Sequence, residues 1–217
     1  MTKQVVVIDY GIGNVFSVCN ALKEVNVDAV LSGDLNVIKS ADRIVLPGVG
    51  AFSRAMSALK DKGIDDAIRA FVETERPFLG ICIGMQVLMQ HSTEMGTHQG
   101  LGLIEGIVDR IDSKTTDGAR LLVPHISWAQ LHKPKSAPED IWNQCVLPQR
   151  NDHNPAYYFV HSYSARPVHK DNLLAEATYG GHALTAAIKK NNITGLQFHP
   201  ERSGKAGLEL LNRFTQI

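Results

Sequence analysis

The chain has 217 residues, of which 44% are hydrophobic, and equal numbers of acidic and basic side chains give it a formal net charge of zero. This length and composition predict a single domain over residues 1–217 with one core. The balanced charge argues against a nucleic-acid-binding surface. The sequence shows neither a secretory leader nor a stretch apolar enough to cross a bilayer, so we expect a cytoplasmic protein that binds no membrane.

The first predicted unit is a strand, a glycine turn and a helix. Residues 5–9 form an apolar run, residues 10–14 read Tyr-Gly-Ile-Gly-Asn, and helical spacing of apolar residues begins at Val15. The turn is similar to a dinucleotide-binding loop, but Phe16 occupies the third glycine position, which favours a closely packed turn over a phosphate site. Cys19 falls on the apolar stripe of the helix and is predicted to lie in the core.

Two further strands are predicted at residues 28–31 and 43–46, and the second of them ends in Pro47-Gly48-Val49-Gly50. Two glycines one residue apart at a strand end can present backbone N–H groups clear of side chains, as an oxyanion hole or anion nest requires. The same sequence also suits a plain turn. Ser53 is predicted to cap the helix that follows.

The fourth predicted strand leads into Gly80-Ile81-Cys82-Ile83-Gly84. Glycine on both sides of a cysteine, between a strand and a helix, is typical of a nucleophile elbow, in which a sharp turn exposes the nucleophile. The partial positive charge of the helix N-terminus favours the thiolate. This segment alone is equally compatible with a buried cysteine at an ordinary junction of strand and helix. The helix is predicted to run to about His91.

Strands and helices alternate up to this point, which predicts a parallel sheet covered by helices on both faces. Ligands of such sheets bind beyond the carboxyl ends of the strands. The loop at residues 47–50 and Cys82 both follow strand ends. We therefore expect them to lie in one crevice.

Beyond His91 the alternation stops, and short strands joined by turns predict an antiparallel extension. The predicted fold class is therefore α/β, with a central, mostly parallel, open sheet flanked by helices and extended by antiparallel strands. Residues 133–154, rich in proline, asparagine and charge, are predicted to form a surface excursion in which the role of Cys145 is open. A last helix is predicted at residues 206–214. The predicted later strands are residues 103–111, 121–123, 157–163, 173–179, 184–189 and 193–198.

His199 and Glu201 follow the last of these strands and are separated by Pro200. Residues two apart on an extended chain point the same way, and proline fixes the backbone between them, so the carboxylate can orient the imidazole. Together with Cys82 they supply the members of a Cys-His-Glu triad. The cysteines are three, scattered and without a Cys-x-x-Cys pair, which argues against disulfides and zinc and leaves the thiol available.

Residues 80–86 (Gly-Ile-Cys-Ile-Gly-Met-Gln) and 195–201 (Gly-Leu-Gln-Phe-His-Pro-Glu) together resemble the signature of triad, or class I, glutamine amidotransferases. Within that family, further segments resemble the glutaminase subunits of imidazole glycerol phosphate synthases, which serve histidine biosynthesis. Met85 agrees with this resemblance, since the glutaminases of anthranilate, GMP or carbamoyl phosphate synthesis usually carry histidine there. The resemblance runs nearly end to end. The further matching segments are residues 10–14, 46–52 and 159–163.

The resemblance implies that Cys82 attacks the side-chain amide of glutamine and forms a glutamyl thioester. It implies that His199 protonates the departing ammonia and then activates the water that releases glutamate, while Glu201 holds the imidazole. Glu94 is implied to face the α-ammonium of glutamine, although its sequence context also suits an acid exposed on a loop. The implied oxyanion residues are Gly48, Val49, Gly50 and Ile83, and the implied substrate-binding residues are Gln86, Glu94, Ser162 and Tyr163.

The resemblance also implies a heterodimer in which a (β/α)8 cyclase subunit receives ammonia and makes imidazole glycerol phosphate and AICAR. It implies no cofactor and no metal, and low glutaminase activity until the partner is engaged. One motif departs from the family. Residues 124–129 read Pro-His-Ile-Ser-Trp-Ala where the family usually has Pro-His-x-Gly-Trp-Asn, so Trp128 is kept on the partner-facing strand while Ser127 and Ala129 are unusual.

This departure leaves open a paralogous glutaminase that supplies ammonia to another synthase, for example in the amidination of a surface sugar. Two more hypotheses are a catalytically idle regulatory subunit and a cysteine peptidase on a related sheet. The intact set of Cys82, His199 and Glu201 argues against an idle subunit. Gln86 and the order His-Pro-Glu fit a glutaminase better than a peptidase.

Overall fold

The computed structural model of the protein describes residues 4–135, 137–138, 140–143, 145–147 and 154–217. These residues form a seven-stranded sheet, a four-stranded sheet and a two-stranded ribbon, with α-helices packed against the strands. No helix in this part of the chain is long and apolar enough to cross a membrane.

The elements of the described ranges are named in chain order. The strands are β1 (Val5–Ile8), β2 (Val30–Ser32), β3 (Arg43–Gly48), β4 (Phe78–Cys82), β5 (Met89–Ser92), β6 (His98–Gln99), β7 (Ile104–Arg110), β8 (His125–Gln130), β9 (Ala156–His161), β10 (Tyr163–Pro167), β11 (Leu173–Tyr179), β12 (His182–Lys190) and β13 (Ile193–Leu196). The α-helices are α1 (Val15–Glu24), α2 (Leu35–Ser40), α3 (Phe52–Asp61), α4 (Ile64–Val72), α5 (Ile83–Gln86) and α6 (Gly204–Gln216).

The seven-stranded sheet has the strand order β11-β12-β13-β4-β3-β1-β2. The five strands from β13 to β2 are parallel, and β12 and β11 continue the sheet in antiparallel pairing. Every residue of β1, β3, β4 and β13 is buried, as expected of central strands covered on both faces, and this burial explains their largely apolar sequences. The predicted α/β fold class with its antiparallel extension is confirmed.

The carboxyl ends of the central strands bring distant segments together. Gly48, at the end of β3, pairs in register with Cys82 at the end of β4. Leu196, at the end of β13, pairs with Ile81, so the chain that continues to His199 leaves the sheet beside the Cys82 turn. One crevice therefore receives the glycine loop, the cysteine and the histidine.

Two predictions in the first half of the chain are wrong in their bounds. The strand predicted at residues 28–31 is β2, at Val30–Ser32. The helix predicted to reach His91 ends at Gln86, because Met89–Ser92 forms β5 and pairs with both β6 and β7. Sheet pairing thus overrides the helix propensity of these residues.

Later bounds also differ from the prediction. No strand forms at residues 121–123, and the chain instead extends in β8, which pairs antiparallel with β9. The last helix is longer than the predicted residues 206–214 and runs over Gly204–Gln216. Its buried face is formed largely by Leu210, Leu211 and Phe214.

The prediction of a surface excursion at residues 133–154 is wrong for several described residues of that segment, which are buried, while others are exposed. Trp142 and Cys145 are buried, and the Trp142 indole N–H donates to the Leu174 carbonyl of β11 at 2.8 Å. A few apolar side chains inside a polar segment are enough to anchor it against the sheet. Cys145 therefore belongs to the packed interior.

Two smaller differences concern single positions. Ser53 does not cap α3, which begins at Phe52, and the Phe52 N–H is bound by the Glu94 carboxylate at 2.6 Å. Cys19 is partly buried and packs against the core instead of lying within it.

Trp142→Ala should destabilise the fold strongly, because it removes a buried aromatic side chain and leaves the Leu174 carbonyl without its donor. We expect a loss of about 3 to 5 kcal/mol in the free energy of unfolding, measured by urea denaturation. Trp128→Ala is the matched control, since that indole is 56% exposed, and it should cost less than about 1 kcal/mol. Equal losses in the two variants would contradict the anchoring role of Trp142.

Candidate active site

Cys82 lies at a sharp turn between β4 and α5. Its backbone adopts φ 56° and ψ −109°, a region that residues with a Cβ rarely occupy. Holding a side chain there costs about 1 to 3 kcal/mol, so the surrounding packing must enforce it. The geometry is that of a nucleophile elbow at the N-terminus of a short helix.

Glycines allow this turn because neighbouring backbone segments approach very closely. A Cβ on Gly84 would lie 1.8 Å from the Leu46 carbonyl oxygen, and a Cβ on Gly48 would lie 2.7 Å from the Tyr10 hydroxyl. Both positions therefore exclude larger residues, and α5 can lie directly against the end of β3. The turn at residues 10–14 packs behind the same loop through Tyr10. This is the closely packed turn that the sequence favoured over a phosphate site.

The His199 imidazole is held in position by Glu201. Its Nδ1 lies 2.8 Å from Oε1 of Glu201, and both side chains are buried. Because a carboxylate accepts, Nδ1 carries the proton and Nε2 is the ring nitrogen that remains for other partners. The backbone is fixed by a short 3₁₀ turn at Pro200–Arg202 and by the Ser203 hydroxyl, which donates to the His199 carbonyl at 2.6 Å.

The surroundings of His199 favour its charged form. Burial alone would lower the pKa of the imidazole, but the neighbouring Cys82 sulfur and Glu201 carboxylate together raise it to about 10. Nε2 is buried and, within the described residues, has no partner in hydrogen-bonding geometry. It is therefore available to the sulfur or to a bound ligand. An imidazolium beside a sulfur nucleophile stabilises the thiolate.

The loop after β3 forms one wall of the site. Val49 and Gly50 line it, with Gly50 at φ 93°. Ile83 is the first residue of α5, so its N–H has no partner within the helix. Backbone N–H groups that converge beside a nucleophile can form an oxyanion hole. Gly48 itself lies in the sheet beneath this loop.

A cavity of about 300 Å³ opens in front of Cys82, a size that suits a small molecule. Most of the predicted site residues line it. Glu201 lies behind His199, and Trp128 lies outside the cavity. The lining residues are Val49, Gly50, Cys82, Ile83, Gln86, Glu94, Pro124, Val160, His161, Ser162, Tyr163 and His199.

Glu94 reaches the cavity from the loop after β5. Its Oε2 accepts the Phe52 N–H at 2.6 Å, at the positive N-terminus of α3. This bond ties the carboxylate to the cavity wall and keeps the side chain partly buried. Glu94 is therefore not an acid exposed on a free loop.

Gln86 and Gln197 form a buried hydrogen-bonded pair beside the cysteine. The Gln86 amide donates to Gln197 Oε1 and to the Tyr163 carbonyl, at 3.0 Å in each case, and the Gln197 amide donates to the Cys82 sulfur at 3.8 Å. Sequence reasoning missed Gln197 as a site residue. Its position two residues before His199, at the end of a central strand, is the signal that would have found it.

Trp128 lies on the exposed face of β8. Its ring packs edge-on against Tyr158, with 5.9 Å between centroids, and Ile126 on the same face is also exposed. Apolar side chains exposed side by side are common at protein interfaces. Ser127 and Ala129 alternate with them and point to the other, partly buried face.

His125 and His161 are buried neighbours of the cavity that sequence reasoning did not single out. They stand directly opposite each other on β8 and β9, with Nδ1 of His125 3.1 Å from Nε2 of His161. Burial lowers the pKa of each imidazole to about 4, so both rings are neutral near neutral pH. The strand register, which one sequence does not reveal, brings them together.

Comparison with known proteins agrees with this geometry. The model of the glutamine amidotransferase class-I family matches residues 6–216. The chain belongs to this family. The resemblance predicted from the two signature segments is therefore confirmed, and the chain is a class-I glutamine amidotransferase.

Several curated relatives carry the same description. Imidazole glycerol phosphate synthase subunit HisH 1 of Legionella pneumophila strain Lens is 43% identical over 211 residues, which cover 97% of this chain and 98% of the relative. Imidazole glycerol phosphate synthase subunit HisH of Oceanobacillus iheyensis is 39% identical over 213 residues, covering 98% of each. The subunit HisH of Bacillus velezensis is 40% identical over 97% of this chain and 95% of the relative.

Solved structures share the fold of this amidotransferase. The structure described as PurLQS from Thermotoga maritima superposes with a TM-score of 0.73 at 17% identity, covering all of this chain and 98% of the other. A crystal structure described as glutamine amidotransferase gives a TM-score of 0.68 at 16% identity, covering 98% and 99%. At such low identity the likeness establishes the fold alone.

His125→Phe should make the stability of this amidotransferase less sensitive to acid. Between about pH 6.5 and pH 4, His125 and His161 bind protons in the unfolded chain but stay neutral in the folded chain. The free energy of unfolding therefore falls as the pH falls. Phenylalanine keeps the stacking on Phe159 and Tyr179 and removes one of these groups. The slope of the free energy of unfolding against pH should then be smaller by up to about 1.4 kcal/mol per pH unit.

Urea unfolding at a series of pH values measures this effect. The comparison is between slopes, so a uniform loss of stability in the variant does not affect it. A slope equal to that of the unsubstituted chain would contradict the buried neutral state of His125.

Proposed function

We propose that the chain is the glutaminase subunit of an imidazole glycerol phosphate synthase, in which it hydrolyses glutamine and delivers ammonia to a (β/α)8 cyclase subunit. That partner makes imidazole glycerol phosphate and AICAR in histidine biosynthesis. The observation that carries the proposal is the near full-length identity of about 40% to relatives described as this subunit. Because a thiol nucleophile stays reduced in the cytoplasm, we propose that compartment for the reaction.

The chemistry begins at Cys82. Its thiolate attacks the Cδ carbonyl carbon of glutamine, and the carbonyl oxygen becomes an oxyanion in a tetrahedral intermediate. The backbone N–H of Ile83 and one N–H of the loop at residues 48–50 stabilise that charge. A donor of this kind contributes about 3 to 4 kcal/mol to barrier lowering, so the orientation of this loop sets the rate of the step.

His199 moves the protons. The imidazolium donates its Nε2 proton to the departing amide nitrogen, ammonia leaves, and a glutamyl thioester remains on Cys82. The neutral imidazole then takes a proton from water, whose oxygen attacks the thioester carbon and releases glutamate with return of the thiolate. Glu201 keeps the ring aligned through its 2.8 Å bond to Nδ1.

The cavity wall recognises the substrate. The partly buried Glu94 carboxylate suits the α-ammonium group of glutamine, and the backbone at Ser162 and Tyr163 faces the α-carboxylate. Gln86 lines the same cavity, with its amide fixed by two acceptors. A cavity of about 300 Å³ is large enough for a single free amino acid.

The exposed apolar face of β8 is the surface we propose for the cyclase partner. Ile126 and Trp128 are each 56% exposed there, and Pro124, just before the strand, reaches the cavity lining. A subunit seated on this face lies close to the site that releases ammonia. The unusual Ser127 and Ala129 on the same strand favour one second candidate, a paralogue that serves another synthase.

Cys82→Ala should separate the two activities of the complex. We expect glutamine-dependent formation of imidazole glycerol phosphate to fall by at least about a thousandfold, because no other group forms the thioester. Synthesis from added ammonium salts should persist, since the cyclase is untouched. Alanine keeps the Cβ of cysteine and removes only the sulfur, so the variant tests the nucleophile alone.

The measurement is product formation by the chain assembled with an imidazole glycerol phosphate synthase cyclase subunit. Loss of both activities in a correctly assembled complex would contradict the proposal. Glutamate release that no such cyclase stimulates would favour the second candidate. Absence of glutamate release under every condition would favour an idle subunit.

Glu94→Gln should weaken glutamine binding with little loss of kcat. The amide oxygen can still accept the Phe52 N–H, so the N-terminus of α3 keeps its cap, while the charge that would pair with the α-ammonium is gone. Loss of a charge-assisted hydrogen bond of about 1.5 kcal/mol or more raises KM for glutamine by about tenfold or more. Steady-state glutaminase kinetics measure it.

Glu73→Gln is the control, because it removes the same charge from an exposed position at the end of α4. It should leave KM as it is. An unchanged KM in Glu94→Gln would remove Glu94 from the substrate site.

A further inference from the structure

A chain of hydrogen bonds leads from β8 to the cavity wall. The Ser127 hydroxyl lies 2.7 Å from Nε2 of His125, Nδ1 of His125 lies 3.1 Å from Nε2 of His161, and Nδ1 of His161 lies 2.9 Å from the Tyr163 carbonyl oxygen. The same carbonyl accepts the Gln86 amide at 3.0 Å. The side chains of His161 and Gln86 therefore bind the Tyr163 carbonyl oxygen directly. Those of His125 and Ser127 are linked to it in series through His161.

The donor direction along this chain follows from its end. A carbonyl oxygen can only accept, so His161 carries its proton on Nδ1 and its Nε2 must accept. His125 then donates from Nδ1, which leaves its Nε2 as an acceptor. The Ser127 hydroxyl must therefore donate to Nε2 of His125, while the Tyr163 carbonyl at the other end sets the tautomers of both rings.

The rings have little freedom to escape this arrangement. His125 is sandwiched between Phe159 and Tyr179, with centroid distances of 5.2 Å and 4.0 Å and nearly parallel planes. His161 is 6% exposed and stands opposite His125 across the β8 and β9 pair. If His125 moved its proton to Nε2, two lone pairs would face each other across 3.1 Å, unless His161 changed tautomer and released the Tyr163 carbonyl.

We propose that Ser127, acting through His125 and His161, is a positioning residue for the glutamine pocket. Its hydroxyl pairs the one ring nitrogen that the two histidines leave unpaired, and so helps to hold the His125 ring. Through His161 that ring is linked to the Tyr163 carbonyl and to the turn at residues 161–163, which lines the cavity. The inference deepens the proposed function and rests on it where substrate affinity is concerned. It assigns a role to a side chain on the outer strand of the ribbon that touches neither glutamine nor Cys82.

Ser127→Ala tests the proposal by removing the terminal donor. In the full-length chain, long-range ¹⁵N–¹H NMR of the imidazoles should show the Nε2 resonance of His125 moving toward that of an acceptor without a donor, while both rings stay protonated on Nδ1. In the assembled complex, KM for glutamine should rise about three- to tenfold, the effect of about one hydrogen bond, with kcat changed less than about twofold. A role in substrate binding moves KM in this way, whereas a general loss of folded enzyme lowers the apparent kcat.

Ser127→Thr keeps the hydroxyl and should restore both the His125 Nε2 resonance and KM. Ser57→Ala, which removes an exposed hydroxyl on α3, should change neither. An unchanged Nε2 resonance in Ser127→Ala overturns the inference whatever the chain hydrolyses, and so does an unchanged KM or a failure of threonine to rescue. Absence of glutaminase activity in the unsubstituted complex would instead overturn the proposed function, and the Nε2 resonance alone would then decide whether Ser127 holds the His125 ring.

Discussion

The close approach of α5 to the end of β3 is the constraint on which the site depends. Cys82 occupies a backbone conformation that an isolated residue avoids, at a cost of about 1 to 3 kcal/mol. The turn persists because Gly84 lies almost in contact with the Leu46 carbonyl, leaving the chain no room to relax. The buried central strands on either side provide the rigid support, so the nucleophile is held in place by the packing of the whole sheet.

The glutamine side chains beside this turn are buried and hydrogen-bonded to each other, which gives the site its second property. Gln86 bridges the Gln197 side chain and the Tyr163 carbonyl, and Gln197 reaches the sulfur. In a low-dielectric setting such a network is costly to break at any one member, because the partner left behind is unpaired. The cavity wall and the nucleophile are therefore ordered as one unit, independently of any substrate.

Much of the fold and of the reactive centre could be predicted from sequence because their signals are local. Apolar runs that alternate with helical spacing predicted the parallel sheet, and the strand ends predicted that Cys82 and the glycine loop share a crevice. The helix expected after Cys82 is too long because the pairing of β5 is decided by β7, far along the chain. His125 and His161 carry no local signal at all, since their meaning arises only from a cross-strand register.

The described part of residues 133–147 shows the same limit for a prediction made from residue composition. Its proline and charge content agrees with the exposure of Lys135, Pro138, Asp140 and Asn143. It does not predict the burial of Trp142, whose indole binds a distant strand. A tally of residue types gives no weight to a single anchoring side chain. A single sequence does not reveal tertiary contacts of this kind.

That anchor has a consequence for β11, the outermost strand of the seven-stranded sheet. Its outward-facing backbone groups would otherwise form a template for a strand from another molecule. The Trp142 indole binds the Leu174 carbonyl, and His132 exchanges two backbone hydrogen bonds with Glu176, at 2.8 Å and 2.9 Å. These bonds occupy backbone groups at Leu174 and Glu176, so this edge of the sheet is less able to pair with a strand from another molecule.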